Sequence, residues 1–247
     1  MSLELTTEQL DRYKRQIAIE DVGLEGQKKL LVSKVLIIGA GGLGSPAALY
    51  LAAGGVGKIG LLDSEKVELS NLQRQILHYA PDIGKFKVSS GKEKLNSLNP
   101  CIEVIAYNTR LTDDSALGII AGYDVVLDCS DNFKTKFLAN GACVFLNKPL
   151  ILGAAAGFNA QVTTIIPRVG PCYRCLFPEP PAETVSEKGI FGPVCGVTGS
   201  LQANEALKYL LGTGDLLTGK LLMFDGLRSS FKIAVFTKDK DCPVCGK

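Results

Sequence analysis

Short apolar runs recur along the first two thirds of the chain, at residues 35–38, 59–63, 102–107 and 125–128. Runs of this length predict strands buried on both faces of a parallel sheet. Helical patterning at 43–53, 87–98, 113–121 and 133–145 separates or follows them, and another apolar run at 150–154 continues the series. Strand and helix in alternation predict an α/β fold of the doubly wound, Rossmann-like type with a mainly parallel sheet. Ahead of this series, residues 6–19 place Leu10, Tyr13 and Ile17 on one side and Arg12 and Arg15 elsewhere, the spacing of a short N-terminal helix.

From Phe158 the pattern changes to extended segments at 161–166, 221–225 and 231–236, interrupted by a helix from about Gly199 to Leu211. These predict mixed or antiparallel strands that extend the first sheet. Residues 177–192, with Pro178, Pro180, Pro181, Gly189 and several charges, read as a mobile loop. There are no internal repeats. At 247 residues the chain suits one large α/β domain better than two small ones, with a nucleotide-binding half of about residues 1–155 and a second half of about 156–247.

Composition narrows the partners. Charged residues make up 21% and the formal net charge is +2, which argues against nucleic acid or an anionic membrane as a partner. Residues 35–57 carry no charge and are long enough to resemble a membrane span, but seven glycines and Pro46 interrupt them. They read as a strand, a glycine turn and a buried helix. Residues 1–15 are polar and lack the apolar core of a signal peptide, so the chain is expected in a reducing, cytoplasmic setting. Its 8 cysteines are then thiols or metal ligands.

The chemistry begins at Gly39-x-Gly41-x-x-Gly44, which follows a predicted strand and opens a predicted helix. Bare backbone amides at a helix N-terminus let phosphates approach closely. Asp63, at the end of the next strand, is placed to accept hydrogen bonds from ribose hydroxyls, with a turn cap as the plainer reading. The glycines alone suggest hydride chemistry. The cluster Ser70-Asn71-Leu72-Gln73-Arg74-Gln75 adds side-chain amides and a guanidinium that can fork onto phosphate oxygens, and Lys87 opens a helix further on. That positive charge points to a nucleoside triphosphate. At the end of another buried strand, Asp131 of Asp128-Cys129-Ser130-Asp131-Asn132 suits Mg²⁺, or a helix N-cap, or both.

Two Cys-x-x-Cys pairs, Cys172 with Cys175 and Cys242 with Cys245, supply the four thiolates of a closed structural zinc site. Their separation means that the metal would clip the C-terminal tail onto the domain. A redox role is the rival, but neither pair is expected to open a helix as thioredoxin-like motifs do. Cys101, Cys129, Cys143 and Cys195 read as small buried hydrophobes. His78 is the only histidine, which leaves Ser-His-Asp or Cys-His chemistry without its base and makes His78 a structural side chain. Attack by an ionised carboxylate on a phosphate needs no base, since an α-carboxyl titrates at about 3.3–3.7.

Taken together, Arg12-Tyr13-x-Arg15-Gln16, the 39–44 turn, the 70–75 cluster, Asp128-Cys129-x-Asp131-Asn132, Pro171-Cys172-Tyr173-x-Cys175 and the final Cys-x-x-Cys resemble the ThiF/MoeB/HesA family of adenylyltransferases, relatives of ubiquitin-activating enzymes. The resemblance runs from about Leu10 to Gly246. It implies that Gly42, Asp63, Ser70, Asn71, Leu72, Gln73, Arg74, Lys87, Asp131 and Asn132 bind ATP, with Asp131 also contacting Mg²⁺. It implies a homodimer in which Arg15 reaches the partner's ATP. The implied reaction joins AMP to the C-terminal glycine of a ubiquitin-like sulfur-carrier protein ending in Gly-Gly, for thiamine, molybdopterin or related sulfur-transfer biosynthesis.

One position departs from the family. Many relatives carry a loop cysteine where Val185 stands here, and Cys195 lies nearby as a possible substitute. Adenylation is expected, with sulfur supplied by a separate donor. Two other classes compete: a NAD-dependent oxidoreductase, opposed by Arg74 and Lys87, and a non-catalytic, zinc-stabilised nucleotide-binding protein, opposed by intact Arg15, Arg74, Lys87 and Asp131.

Overall fold

The computed structural model describes residues 4–180 and 189–246. Eight strands form one sheet in the order β3-β2-β1-β4-β5-β6-β7-β8. The strands are β1 (Lys34–Ile38), β2 (Lys58–Leu62), β3 (Glu103–Tyr107), β4 (Val125–Asp128), β5 (Leu150–Ala156), β6 (Asn159–Ile165), β7 (Lys220–Asp225) and β8 (Ser230–Val235). β1 to β5 pair in parallel, and β6, β7 and β8 add on antiparallel. The chain steps outward from β1 to β2 and β3, then returns to place β4 on the other side of β1. That reversal opens a crevice at the carboxyl ends of β1 and β4, where doubly wound sheets take their ligands.

Side chains alternate along β1, as period-two geometry requires. Val35 and Ile37 face a layer made by α3 (Gly44–Ala53), α4 (Lys87–Leu98) and α8 (Gly192–Leu211). Leu36 and Ile38 face α5 (Asp113–Ile120) and α6 (Phe133–Phe145). α1 (Thr7–Ile17) starts at a reciprocal cap between Thr6 and Gln9 and packs on α2 (Gly23–Val32). No helix among the described residues is long and apolar enough to cross a membrane.

The helices depart from the expectations in three places. α2 was not expected, because Gly23 and Gly26 interrupt its apolar pattern; a Cβ at Gly26 would stand 2.9 Å from Leu211 Cδ2. α8 begins seven residues before the expected start, at Gly192, with Pro193 in its first turn where a missing amide costs no helical bond. A four-residue helix, α7 (Tyr173–Leu176), follows Cys172 directly, so this cysteine pair does open a short helix. Residues 181–188, which hold Val185 and most of the expected mobile loop, lie outside the described residues.

Candidate nucleotide site

The glycine turn fills the crevice between β1 and β4. Gly39 donates to the Leu62 carbonyl at 2.7 Å with φ +96°, a left-handed conformation against the Cys129 carbonyl that side chains rarely adopt. A Cβ at Gly44 would collide with the Gly39 carbonyl, so the turn closes on itself before α3 begins. Gly41 faces the Gln75 side-chain amide. Gly42 faces Cys195, whose Sγ lies 2.9 Å from where a Cβ on Gly42 would stand, and the Arg74 stem.

Asp63 follows β2. One carboxylate oxygen accepts the Ala40 amide at 2.9 Å and the other the Glu65 amide at 2.8 Å, so it caps a turn while bordering the crevice. Residues 69–71 form a 3₁₀ turn in which Asn71 Oδ1 accepts the Glu68 amide at 3.1 Å. Asn71 is therefore buried and part of the scaffold, whereas Ser70 and Gln73 are exposed and Leu72 is half-buried. Arg74 donates to the Ser70 carbonyl at 3.0 Å, which folds its guanidinium back over the turn. Gln75 is buried, and its Oε1 has no partner among the described residues.

Lys87, in the first turn of α4, is only 4% exposed, and its ammonium lies 2.6 Å from Glu65. Its own amide donates to the Glu65 carbonyl at 2.9 Å, which ties the start of α4 to the segment after Asp63. Asp131 is exposed in the turn after β4. The cap of α6 is Asn132, whose Oδ1 accepts the Thr135 amide at 2.9 Å, so the N-cap reading of Asp131 is corrected by one residue. Arg15 is exposed on the last turn of α1, away from this cluster. Its neighbour Gln16 donates to the Gly54 carbonyl at 3.0 Å, at the far end of α3 and about 15 Å of helix from the glycine turn.

Three features of the site carried no local signal. Asp128 and Lys136 form a buried ion pair of 3.2 Å at the root of the 128–132 turn, Lys136 also donating to the Gly153 carbonyl at 2.7 Å. Glu65 holds Lys87. His78 is buried against the glycine turn. Each depends on pairings between separate elements.

The four motif cysteines converge on the other face of the sheet, beside α6. All four sulfurs lie within 4.8 Å of one another, with Cys172 and Cys242 at 3.6 Å and Cys175 and Cys245 at 3.4 Å. Four thiolates at about 2.3 Å from a tetrahedral ion would be about 3.8 Å apart, so the cluster fits such an ion. Burial opposes ionisation of Cys242, but the Cys245 and Val244 amides outweigh it and bring its thiol down to about 7. Cys129, Cys143 and Cys195 are buried as expected, whereas Cys101 is exposed because it follows α4 in a surface turn. Burial pushes the Cys195 thiol up, against the opposing pull of Arg74.

A glycine turn at a sheet switch point, bordered by a carboxylate, a guanidinium and a buried ammonium, defines a nucleotide-binding α/β protein equipped for phosphate chemistry. The ThiF family matches residues 13–244, and the chain belongs to that family. It is 47% identical to the sulfur carrier protein adenylyltransferase of Thermus thermophilus, over 98% of this chain and 92% of that protein. It is 45% identical to the SAMP-activating enzyme E1 of Haloferax volcanii, over 100% of this chain and 93% of that one. It is also 47% identical to the adenylyltransferase and sulfurtransferase MOCS3 of Culex quinquefasciatus, of which it spans 56%. Among solved structures, E. coli MccB with MccA-N7isoASN superposes with a TM-score of 0.86 at 25% identity, over 99% of this chain and 76% of MccB. The protein is an adenylyltransferase.

Proposed function

We propose that this enzyme activates the C-terminal glycine carboxylate of a small ubiquitin-like sulfur-carrier protein as its acyl-adenylate. The observation that carries this reading is the pair of cations, Arg74 and the buried Lys87, gathered beside a glycine turn whose Gly41 and Gly42 amides have no partner among the described residues. A carboxylate oxygen of the carrier attacks the α-phosphorus of ATP. The bond to the bridging oxygen of the β-phosphate breaks, and pyrophosphate leaves with that electron pair. No proton needs to be moved, so an absent general base is no obstacle; positioning and charge stabilisation carry the step.

In this reading Gly39, Gly41, Gly42 and Gly44 form the bed for the phosphates, Asp63 takes the ribose, and Ser70, Asn71, Leu72, Gln73 and Arg74 line the phosphate path. Asp131, with Asn132 beside it, would hold Mg²⁺, which would neutralise charge on the leaving pyrophosphate. Cys172, Cys175, Cys242 and Cys245 would hold zinc as a structural clip, with no open position for chemistry. Exposed Phe158, Phe191, Leu227 and Phe231 border the same edge of the sheet as the crevice. That apolar margin supports a protein substrate whose extended tail runs toward the nucleotide.

The whole chain acts as one adenylation unit in a homodimer, supported by an apolar groove lined by Pro46, Tyr50, Ile76, Pro193, Val197 and Leu201. Arg15 is then delivered to the partner's nucleotide. With Cys195 sealed under Gly42, sulfur comes from a separate donor, in thiamine, molybdopterin or related biosynthesis in a reducing cytoplasm. ATP–pyrophosphate exchange, measured with each Gly-Gly-ending carrier, tests the reading. Exchange that requires the terminal glycine is expected; no exchange with any carrier, or reduction of a nicotinamide instead, would overturn it.

A further inference from the structure

His78 is the chain's only histidine, 3% exposed and outside every motif used above. Its Nε2 lies 2.9 Å from the Ala40 carbonyl oxygen and its Nδ1 2.9 Å from Ser90 Oγ in α4. A carbonyl can only accept, so Nε2 carries the proton and donates; in the neutral ring that burial favours, Nδ1 is the bare nitrogen facing Ser90 Oγ. Burial lowers the pKa of His78, and Lys87 adds to that effect, whereas the Ala40 hydrogen bond and the carboxylates of Asp82 and Asp63 oppose it.

Ala40, the non-glycine residue between Gly39 and Gly41, is thus gripped at both polar groups. Its amide donates to Asp63 at 2.9 Å and its carbonyl accepts from His78. In a planar trans peptide the N–H points opposite to the C=O. Fixing the Ala40 carbonyl toward His78 therefore fixes the Gly41 N–H in the opposite sense, away from His78. No acceptor among the described residues takes that N–H. An unclaimed amide just ahead of a helix N-terminus is a ready anion donor.

We propose that His78 is a positioning residue that aims the Gly41 amide at a phosphate of the bound nucleotide. The inference rests on the ATP reading above. It makes the Asp63–Ala40–His78 clamp part of nucleotide recognition, although His78 itself does not touch the ligand.

The test uses the full-length protein and α,β-methylene-ATP, whose binding is measured by calorimetry beside the imidazole ¹⁵N spectrum. A lone histidine gives one imidazole signal set, expected to show protonated Nε2 and bare Nδ1. His78→Phe should weaken analogue binding roughly tenfold, because the Ala40 carbonyl loses its donor. His78→Gln, which returns an N–H donor to that place, should recover binding to within about threefold of wild type. An Nδ1-protonated tautomer overturns the proposal, as does a folded His78→Phe protein that binds as tightly as wild type. If His78→Phe does not fold, His78→Gln binding no better than Ser90→Leu overturns it. Wild type that binds no analogue overturns the ATP reading and this inference with it; normal wild-type binding with unaffected variants overturns this inference alone.

Discussion

Lys87 places its ammonium 2.6 Å from the carboxylate of Glu65, the lysine side chain buried and the glutamate largely exposed. A triphosphate in the crevice would compete for the same ammonium. In the ATP reading Glu65 would be the resting partner that keeps a buried charge satisfied until nucleotide arrives. Glu65→Gln should lower the KM for ATP roughly two- to fivefold, since partly exposed ion pairs are worth at most about 1 kcal/mol. Lys87→Met should lower pyrophosphate exchange on the order of a hundredfold. An unchanged KM in Glu65→Gln would show that the pair persists in the complex.

Adjacent residues at the end of β4 divide their work. Asn132 caps α6 through the Thr135 amide, while Asp131 is exposed and its only side-chain hydrogen bond among the described residues is a long one, 3.4 Å, from Asn132 Nδ2. Asn132→Ala should therefore cost about 1 kcal/mol of stability in urea unfolding. Asp131→Asn should leave the melting temperature within about 1 °C and reduce exchange on the order of a hundredfold at limiting Mg²⁺. A destabilised Asp131→Asn protein would contradict this division.

Acid stability should depend on Asp82. Burial opposes its ionisation, but Lys94 at 2.7 Å, the Tyr79 amide and Lys85 at 3.1 Å outweigh it and hold the carboxyl well below the usual range. A depressed folded-state pKa contributes stability above the unfolded value of about 3.9, and that contribution is lost as pH falls toward the folded one. Asp82→Asn should cost about 2 kcal/mol at neutral pH. The gap between variant and wild type in urea midpoint should close as pH drops below about 4. A constant gap would mean that Asp82 acts by shape rather than charge.

The cysteine cluster lies across the sheet from the glycine turn, so its loss should act on the tail before it acts on chemistry. One zinc per chain is expected. Cys245→Ser should abolish tight metal retention and lower the melting temperature, with exchange at low temperature kept within about threefold of wild type. A metal content near zero in wild type, or full retention in Cys245→Ser, would count against a four-thiolate site.

Much of the fold is legible in the sequence because its buried parallel strands are continuous apolar runs, and their ends lie within a residue of expectation from β1 to β4. The sequence leaves α2 and the first two turns of α8 unmarked, and both helices carry glycines that serve packing. Gly199 sits in α8 because a Cβ there would collide with the Leu43 carbonyl, and Gly26 sits in α2 under Leu211. Such glycines weaken a helical pattern for reasons that only the neighbouring helix reveals. At the site, the residues of the glycine turn and the 70–75 cluster are contiguous and so were visible as motifs. Glu65 and His78 were not, since their partners lie 22 and 38 residues away and meet them only after the sheet has formed.

Arg15 tests the assembly. α1 holds it near the far end of α3, since Gln16 bonds Gly54 and Tyr13 receives a hydrogen bond of 2.8 Å from Asn99. With those anchors at the far end of α3, a second copy would have to present the guanidinium if it acts on the α-phosphate. Arg15→Ala and Asp131→Ala should each abolish exchange alone. When the two variants are mixed and reassembled, the subunit with intact Asp131 receives an intact Arg15 from its partner. Random pairing makes about half the dimers mixed, each with one working site, so activity should recover to about a quarter of wild type. No recovery despite subunit exchange, shown by mass-tagged dimers, would mean that Arg15 serves its own chain or none.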